Sequence, residues 1–215
     1  VKVAIVIPAF NEAESIAAVV MAVSAYGTPI VVDDGSSDDT GARAAEAGAV
    51  VVRQPQNRGY DAALAAGFAK ADAIGADIVV TADADGQLDT AVIPDALAKL
   101  NDADLVLGVR QAPPARWSEM VFNCYTHARF GVPDILCGLK AFRLDQYRAF
   151  RDRMVEPSVY TALALSLLRR GKKPALVPVG VRPRDGVSRF GVSWRGEWRI
   201  LRAFFLALRD EVVHR

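Results

Sequence analysis

In the stretch VVTADADGQLD, residues 79–89, an apolar run stops at three aspartates grouped around a glycine and a glutamine. Asp83 and Asp85 are separated only by Ala84, so in an extended segment both carboxylates point the same way, and Gln87 continues that phase. Hard oxygen donors in one line suit Mg²⁺ or Mn²⁺, which bind through one or two carboxylates and the phosphates of a substrate. A solvated acidic turn is the plainer alternative, and Asp89 reads as the cap of the next helix. A second acidic strand end, VVDDGSSDDT, carries Asp33 and Asp34, either of which could accept from a base N–H or a ribose hydroxyl. Its alternative is a βα turn in which Ser36 to Asp38 cap a helix. In IPAFNE, Pro8 closes the first strand, Asn11 can cap the coming helix, and Glu12 favours that helix's positive end.

These residues need elements to position them, and the first 110 residues alternate strand and helix signals. VKVAIVIP, PIVVDDG, AVVVRQ, DIVVTA and ADLVLGVR read as strands. Between them, EAESIAAVVMAVSAYG, DDTGARAAEAG, RGYDAALAAGFAKADAIG and AVIPDALAKL read as helices. Such alternation predicts an α/β fold with a mostly parallel central sheet flanked by helices. In such sheets ligands gather beyond the carboxyl ends of the strands, where the polar motifs fall. After Arg110 the pattern predicts a helix over 116–130, a strand over 135–142, a helix over 158–170, a strand over 174–181, a loop to 193 and a helix over 194–211.

The 215 residues, 52% of them hydrophobic, suffice for one domain, expected over 1–193, with a C-terminal amphipathic helix over 194–215. Twenty-six basic and 25 acidic residues nearly cancel, so no nucleic-acid partner is expected. Cys124 and Cys137 make neither a metal pattern nor a disulfide framework, which fits a reducing cytoplasm. No secretion signal is read, and the apolar runs fall short of the ~20 residues a spanning helix needs. The expected location is the cytoplasm, in solution or on the cytoplasmic face of a membrane.

IPAFNE, VDDGSSDDT, NRGYDAALAAG, DADGQLD and DILCGLKAFR occur in an order and spacing that resembles the family-2 glycosyltransferases, most of all the dolichol-phosphate-mannose synthase-like, polyprenyl-phosphate branch, over residues 3–190. The resemblance implies a GT-A fold binding a nucleotide-diphosphate sugar. Pro8, Phe10 and Glu12 would line the nucleoside pocket, with Asp34 beside the base and Asp33 nearby. Asp83, Ala84 and Asp85 would form the DxD motif, which with Gln87 holds the metal against the diphosphate. Arg110 matches a basic position near the donor, and Lys140 falls where the family often has arginine. Arg184, Ser188 and Arg189, in RPRDGVSRFG, resemble the RxxGxSK loop that closes over the diphosphate, with Arg189 where lysine is usual. A metal and arginines would stabilise charge on the departing diphosphate. The family's glutamate near the start of the 158–170 helix is missing: Ser158, Tyr160 and Thr161 stand there, with Glu156 just ahead.

A hydroxyl acceptor needs a general base, and Asp134, before ILCG, is the best candidate; its alternative is to cap a turn or orient Lys140 and Arg143. His127 and His214 are weaker candidates. A lipid phosphate is already anionic and needs no base. Trp194, Trp198, Leu201, Phe205 and Leu208 recur at helical spacing with Arg195, Arg199, Arg202 and Arg209 on other faces. Such a helix packs on its domain or a partner subunit, or lies in a membrane interface. The expectation is an inverting, metal-dependent hexosyltransferase using a GDP- or UDP-linked donor and a polyprenyl phosphate or other lipid-linked acceptor. A saccharide or small-molecule hydroxyl acceptor, or a non-catalytic nucleotide-sugar-binding domain, are the alternatives. A Rossmann dehydrogenase is disfavoured because no G-x-G-x-x-G follows the first strand.

Overall fold

The structure is a computed structural model that describes residues 1–151, 159–182, 197–198, 200–202 and 204–205. Seven strands form its sheet: β1 (Val3–Ala9), β2 (Thr28–Asp33), β3 (Val50–Arg53), β4 (Ile78–Thr81), β5 (Leu105–Arg110), β6 (Lys140–Arg143) and β7 (Pro174–Val179), in the order β3-β2-β1-β4-β6-β5-β7. All pairings are parallel except those of β6, which runs antiparallel to β4 and β5.

The two-residue period of the strands splits the core in two. Ala4 and Val6 face one side while Ile5 and Ile7 face the other, and Val79 opposes Ile78 and Val80 in the same way. The first side is covered by α3 (Tyr60–Ala73), α5 (Trp117–Phe130), α6 (Leu144–Arg151) and α7 (Val159–Arg169), through Leu64, Phe68, Phe122, Tyr147 and Leu165. The second is covered by α1 (Ile16–Val23), α2 (Thr40–Glu46) and α4 (Ile93–Lys99), through Ile16, Val20, Ala44 and Ile93. Phe68 sits at the centre of the first cluster, edge-on to Phe142 at 5.4 Å and to Tyr147 at 5.1 Å. The α/β expectation therefore holds, with strands buried on both faces.

Local chemistry sets the helix ends. Pro94 opens α4, where its missing N–H costs no helical bond, and Gly131 closes α5 in the left-handed conformation at φ 70°. The segment 135–142, expected as a strand, is strand only from Lys140, and it leads directly into α6, a helix the apolar pattern did not predict. The boundary expected at 193 and 194 lies outside the described residues.

Because β6 is antiparallel, its first residue, Lys140, lies where β4 ends, paired with Thr81. Residues 134–140 therefore reach the same edge as the ends of β1, β2, β4 and β5. The chain leaves β1 toward β2 on one side and meets β4 on the other, which places a crevice between the ends of β1 and β4.

Close approach of α3 to the sheet depends on Gly67, where an added Cβ would stand 2.2 Å from Cγ1 of Val6. Helix propensity alone would favour Gly67→Ala by about 1 kcal/mol. Overpacking should win, so thermal or urea unfolding is expected to show a net loss of about 1–3 kcal/mol. A variant as stable as the parent would show that this contact can relax.

Candidate functional site

Two loops at the carboxyl edge are laced together before any ligand is considered. Asn11 takes a left-handed backbone at φ 54°, and its N–H donates to Ser36 Oγ at 2.9 Å while its side-chain oxygen accepts from Ser37 N at 2.8 Å. It does not cap α1, contrary to the sequence expectation. That helix starts at Ile16 behind Ser15, and Asn11 is spent on holding the loop after β2. Glu12 N donates to Thr40 Oγ1 at 2.8 Å, and Glu12 Oε2 accepts from Ser15 Oγ at 3.2 Å, near the helix start where a carboxylate is favoured.

The second acidic end divides its work. Asp34 accepts from Arg58 N and Gly59 N, each at 2.8 Å, and so fixes the entry to α3. Asp33 accepts from Ser36 N at 2.8 Å, while its other oxygen is buried 3.6 Å from Arg53 Nε and makes no hydrogen bond. Pro8 is buried and Phe10 stands 38% exposed at the mouth of this corner. A cleft of about 310 Å³ opens beside it, lined by Gly35, Ser36, Arg53, Gln54 and Pro55. The sequence reading missed Arg58, Gln54 and Arg53, although the first lies in NRG, one of the motifs it singled out.

At the end of β4 the chain does not stay extended. Asp85 Oδ1 accepts from Gln87 N at 3.0 Å and Gly86 adopts φ 69°, so the backbone turns. The phase that would align Gln87 with Asp83 and Asp85 is therefore broken, and the Gln87 backbone carbonyl instead accepts from Arg182 N at 2.8 Å. Asp89 does cap the next turn, accepting from Ala91 N at 3.2 Å. Leu88 bridges to Val181, which brings the end of the β7 segment against this loop.

Asp83 is half-buried, with its carboxylate lying against Gly138: a Cβ there would fall 2.0 Å from Oδ2. Tyr60 donates to Oδ1 at 3.2 Å. Burial, then the charge of Asp85, pushes the Asp83 pKa up to about 6 against the opposing pull of Tyr60, Lys140 and Arg110. Lys140 is buried, with Nζ donating to the Cys137 carbonyl at 2.8 Å, and burial brings its pKa down to about 7. Neither Tyr60 nor Gly138 has a local sequence signal, since each lies more than 20 residues from Asp83.

Arg110 ends β5 and grips Asp134 with Nε at 2.8 Å and Nη2 at 2.9 Å, and Nη2 also reaches Glu119 at 3.2 Å. Burial opposes ionisation of Asp134, but the hydrogen bonds and charge of Arg110 outweigh it and hold its pKa below the usual carboxylate value. Both oxygens expected to serve as a base are thus committed to a guanidinium, and the orienting alternative applies to Arg110 rather than to Lys140 and Arg143. His127 is exposed on α5. Arg184, Ser188, Arg189, Glu156, Ser158 and His214 lie outside the described residues, as does the side chain of Tyr160; Thr161 is buried.

The donor set fits a hard divalent cation. Two carboxylates, one of them held in a form that burial penalises, meet at the crevice, and positive charge there would relieve both. Among the described residues no group of three or more His, Cys, Asp or Glu side chains converges, and Mg²⁺ held by one or two carboxylates commonly takes substrate phosphate oxygens and water as well.

The chain matches a family model described as Glycosyl transferase family 2 over residues 4–156. A protein of Mycobacterium tuberculosis named as an uncharacterized glycosyltransferase is 43% identical over 110 residues, 51% of this chain and 49% of that one. The match thus spans about half the length of that relative. The undecaprenyl-phosphate mannosyltransferase of Micrococcus luteus is 30% identical over 219 residues, covering 91% of this chain and 90% of its own. Among solved structures, glucosyl-3-phosphoglycerate synthase from Mycobacterium tuberculosis, in complex with Mn²⁺, uridine diphosphate and glucosyl-3-phosphoglycerate, superposes with a TM-score of 0.70 at 26% identity, over 87% of this chain and 73% of that one.

The native pKa of Asp83 lies above its unfolded value of 3.8, so its contribution to stability is whole below about pH 4 and is lost as pH rises through about 6. Asp83→Asn removes the penalised charge. Without metal, the variant is expected to resist urea better than the parent above pH 6, with the advantage shrinking toward zero as pH falls to about 4. Added Mn²⁺ should stabilise the parent and not the variant. Equal stabilities at pH 7 would show that the carboxylate is not strained.

Proposed function

The chain belongs to glycosyl transferase family 2, and we propose that it moves a hexose from a nucleotide-diphosphate sugar, GDP- or UDP-linked, to a polyprenyl phosphate, with inversion. The observation that carries the reading is the Asp83–Asp85 pair at the crevice between β1 and β4, with Asp83 seated against Gly138 in surroundings that disfavour its unscreened charge. Mg²⁺ or Mn²⁺, when bound to these carboxylates, supplies positive charge to the diphosphate; the Mn²⁺ and uridine diphosphate of the structural relative support this.

The nucleoside lies along residues 8–12 and beside Asp33 and Asp34, whose loops are fixed in advance by Asn11, Ser36 and Thr40. Arg110, held charged by Asp134, faces the charge that develops on the leaving diphosphate. Arg184, Ser188 and Arg189 add donors to the same group. Their segment follows Arg182, whose backbone is pinned to Gln87 beside the acidic pair. An acceptor phosphate oxygen attacks the anomeric carbon as the bond to the diphosphate breaks, and no proton has to be removed from it. The engagement of Asp134 with Arg110 supports that choice over a hydroxyl acceptor, as does the mannosyltransferase likeness along nine-tenths of the chain. The glucosyl-3-phosphoglycerate relative favours the competing reading, a soluble acceptor.

The acceptor class also suits one surface. Trp117, Met120 and Val121 on the outer side of α5 are 51%, 53% and 38% exposed, and Trp198 and Phe205 of the C-terminal helix are 60% and 59% exposed. No described helix is long and apolar enough to cross a membrane. Aromatic and apolar side chains beside Arg202 instead fit contact with the headgroup region.

Calorimetry with GDP and UDP should show binding that requires Mn²⁺, and Asp85→Ala should weaken it at least about tenfold. Equal affinity in the variant would remove the metal assignment. Undecaprenyl phosphate should accept sugar faster than water does. Donor hydrolysis alone would leave the lipid acceptor without support. Trp198→Glu with Phe205→Glu should abolish sedimentation with anionic vesicles while Mn²⁺-dependent nucleotide binding persists. Continued sedimentation would exclude this face.

A further inference from the structure

Helix α5 begins behind Arg116, whose side chain makes no capping bond, so its first N–H groups need partners from elsewhere. One comes from 79 residues away: Glu197 Oε2 accepts from Ser118 N at 3.3 Å. The carboxylate thus sits at the positive end of α5, where a negative charge is favoured. Its other oxygen is 4.0 Å from Arg116 Nε. Arg116 Nη1 lies 3.8 Å from Glu119 Oε1, and Glu119 Oε2 accepts from Arg110 Nη2 at 3.2 Å. Arg110 then closes the row on Asp134. Five charges alternate in sign from the C-terminal helix to the edge of the Asp83 crevice, and each inner member is shared by two neighbours. The side chains of Arg116, Glu119, Glu197 and Asp134 are between 7% and 16% exposed, so water screens them little.

We infer that Glu197 is a positioning residue for Arg110, acting through Arg116 and Glu119. The inference rests on Arg110 facing the donor diphosphate, as proposed above. Without the charge of Glu197, Arg116 leans more on Glu119 and draws that carboxylate away from Arg110 Nη2. Arg110 keeps Asp134 but loses the contact that fixes the outer edge of its guanidinium. A group that acts on charge developing in the transition state then costs turnover more than donor binding.

Glu197→Gln preserves the side chain's shape and its ability to accept from Ser118 N, so a merely structural role for the helix contact would leave it unchanged. The expected result is a fall in kcat of about tenfold with the donor KM within about twofold, in the range that coupled side-chain networks carry. Adding Glu197→Gln to Arg116→Gln should cost nothing further, because the path is already cut. Independent, multiplying losses, or a kcat equal to the parent's, would overturn the inference. A second measurement needs no turnover: in protein labelled with ¹⁵N-arginine, the Arg110 Nε–H signal, identified by its loss in Arg110→Lys, should shift in Glu197→Gln. If the parent transfers no sugar, the functional reading fails and this spectrum alone decides; an unmoved Arg110 signal refutes the relay.

Discussion

A carboxylate and an ammonium are both placed where burial disfavours their charged forms, and the rest of the edge is arranged around them. Asp83 is pushed up to about 6 and Lys140 down to about 7, although the charge of each favours ionisation of the other. Desolvation outweighs the attraction at each group. A cation beside Asp83 would favour its ionised form, and a carboxylate in such surroundings needs neighbours that hold it in place. Here Gly138 leaves room for the carboxylate, Tyr60 holds one oxygen, and Thr81 Oγ1 donates to the Gly138 carbonyl at 2.9 Å.

One topological choice makes that possible. Had β6 been parallel to β4, its carboxyl end would have reached the crevice, and Lys140 would have lain at the far edge of the sheet. Running antiparallel, β6 delivers its first residue beside Thr81, and the 134–139 segment approaches across the ends of β4 and β5. Asp134 and Gly138 arrive from this insertion, while Arg110 comes from the strand it separates from β4. Lys140 is thus far from the acidic pair in sequence yet beside the end of β4 in the sheet, and Arg110 lies one strand further on.

This explains which parts of the protein were legible beforehand. Strand and helix alternation was, because burial on both faces writes an apolar run into every central strand and a 3.6-residue period into helices such as α1. The placement of Asp33, Asp34, Asp83 and Asp85 at one edge followed from the parallel rule. What failed were inferences about side-chain direction inside loops. Gln87 was aligned with Asp83 by assuming extended backbone, but Asp85 turns the chain by accepting its own downstream N–H. Asn11 was given to a helix cap when its amide oxygen serves Ser37, 26 residues on. For Asp134 the base and the orienting role both stay open in sequence, because nothing local shows that Arg110 takes both its oxygens. For Asn11 and Asp134 the partner lies in another loop or strand, and such partners leave no periodicity. Helix α6 was missed for a related reason: only Leu144 and Tyr147 of it are buried, too few for a repeating stripe.

The C-terminal helix shows the same limit from the apolar side. Two uses for its aromatic stripe, packing on the domain and contact with a membrane, were set against each other as alternatives. The stripe's described aromatics, Trp198 and Phe205, are exposed, and the domain is met instead by residues outside the stripe. Phe204 packs on Phe122 and Tyr125 at 5.3 and 5.5 Å, and Ile200 joins the same core, while Trp198 and Phe205 point outward. Phe204 and Phe205 are neighbours in sequence and so about 100° apart on a helix, enough to separate a buried line from an exposed one. Ile200 and Phe204 hold one side of this helix on the domain, and Glu197 reaches the N-terminus of α5. The helix and the site are joined through α5, because Arg116 and Glu119 link Glu197 to Arg110.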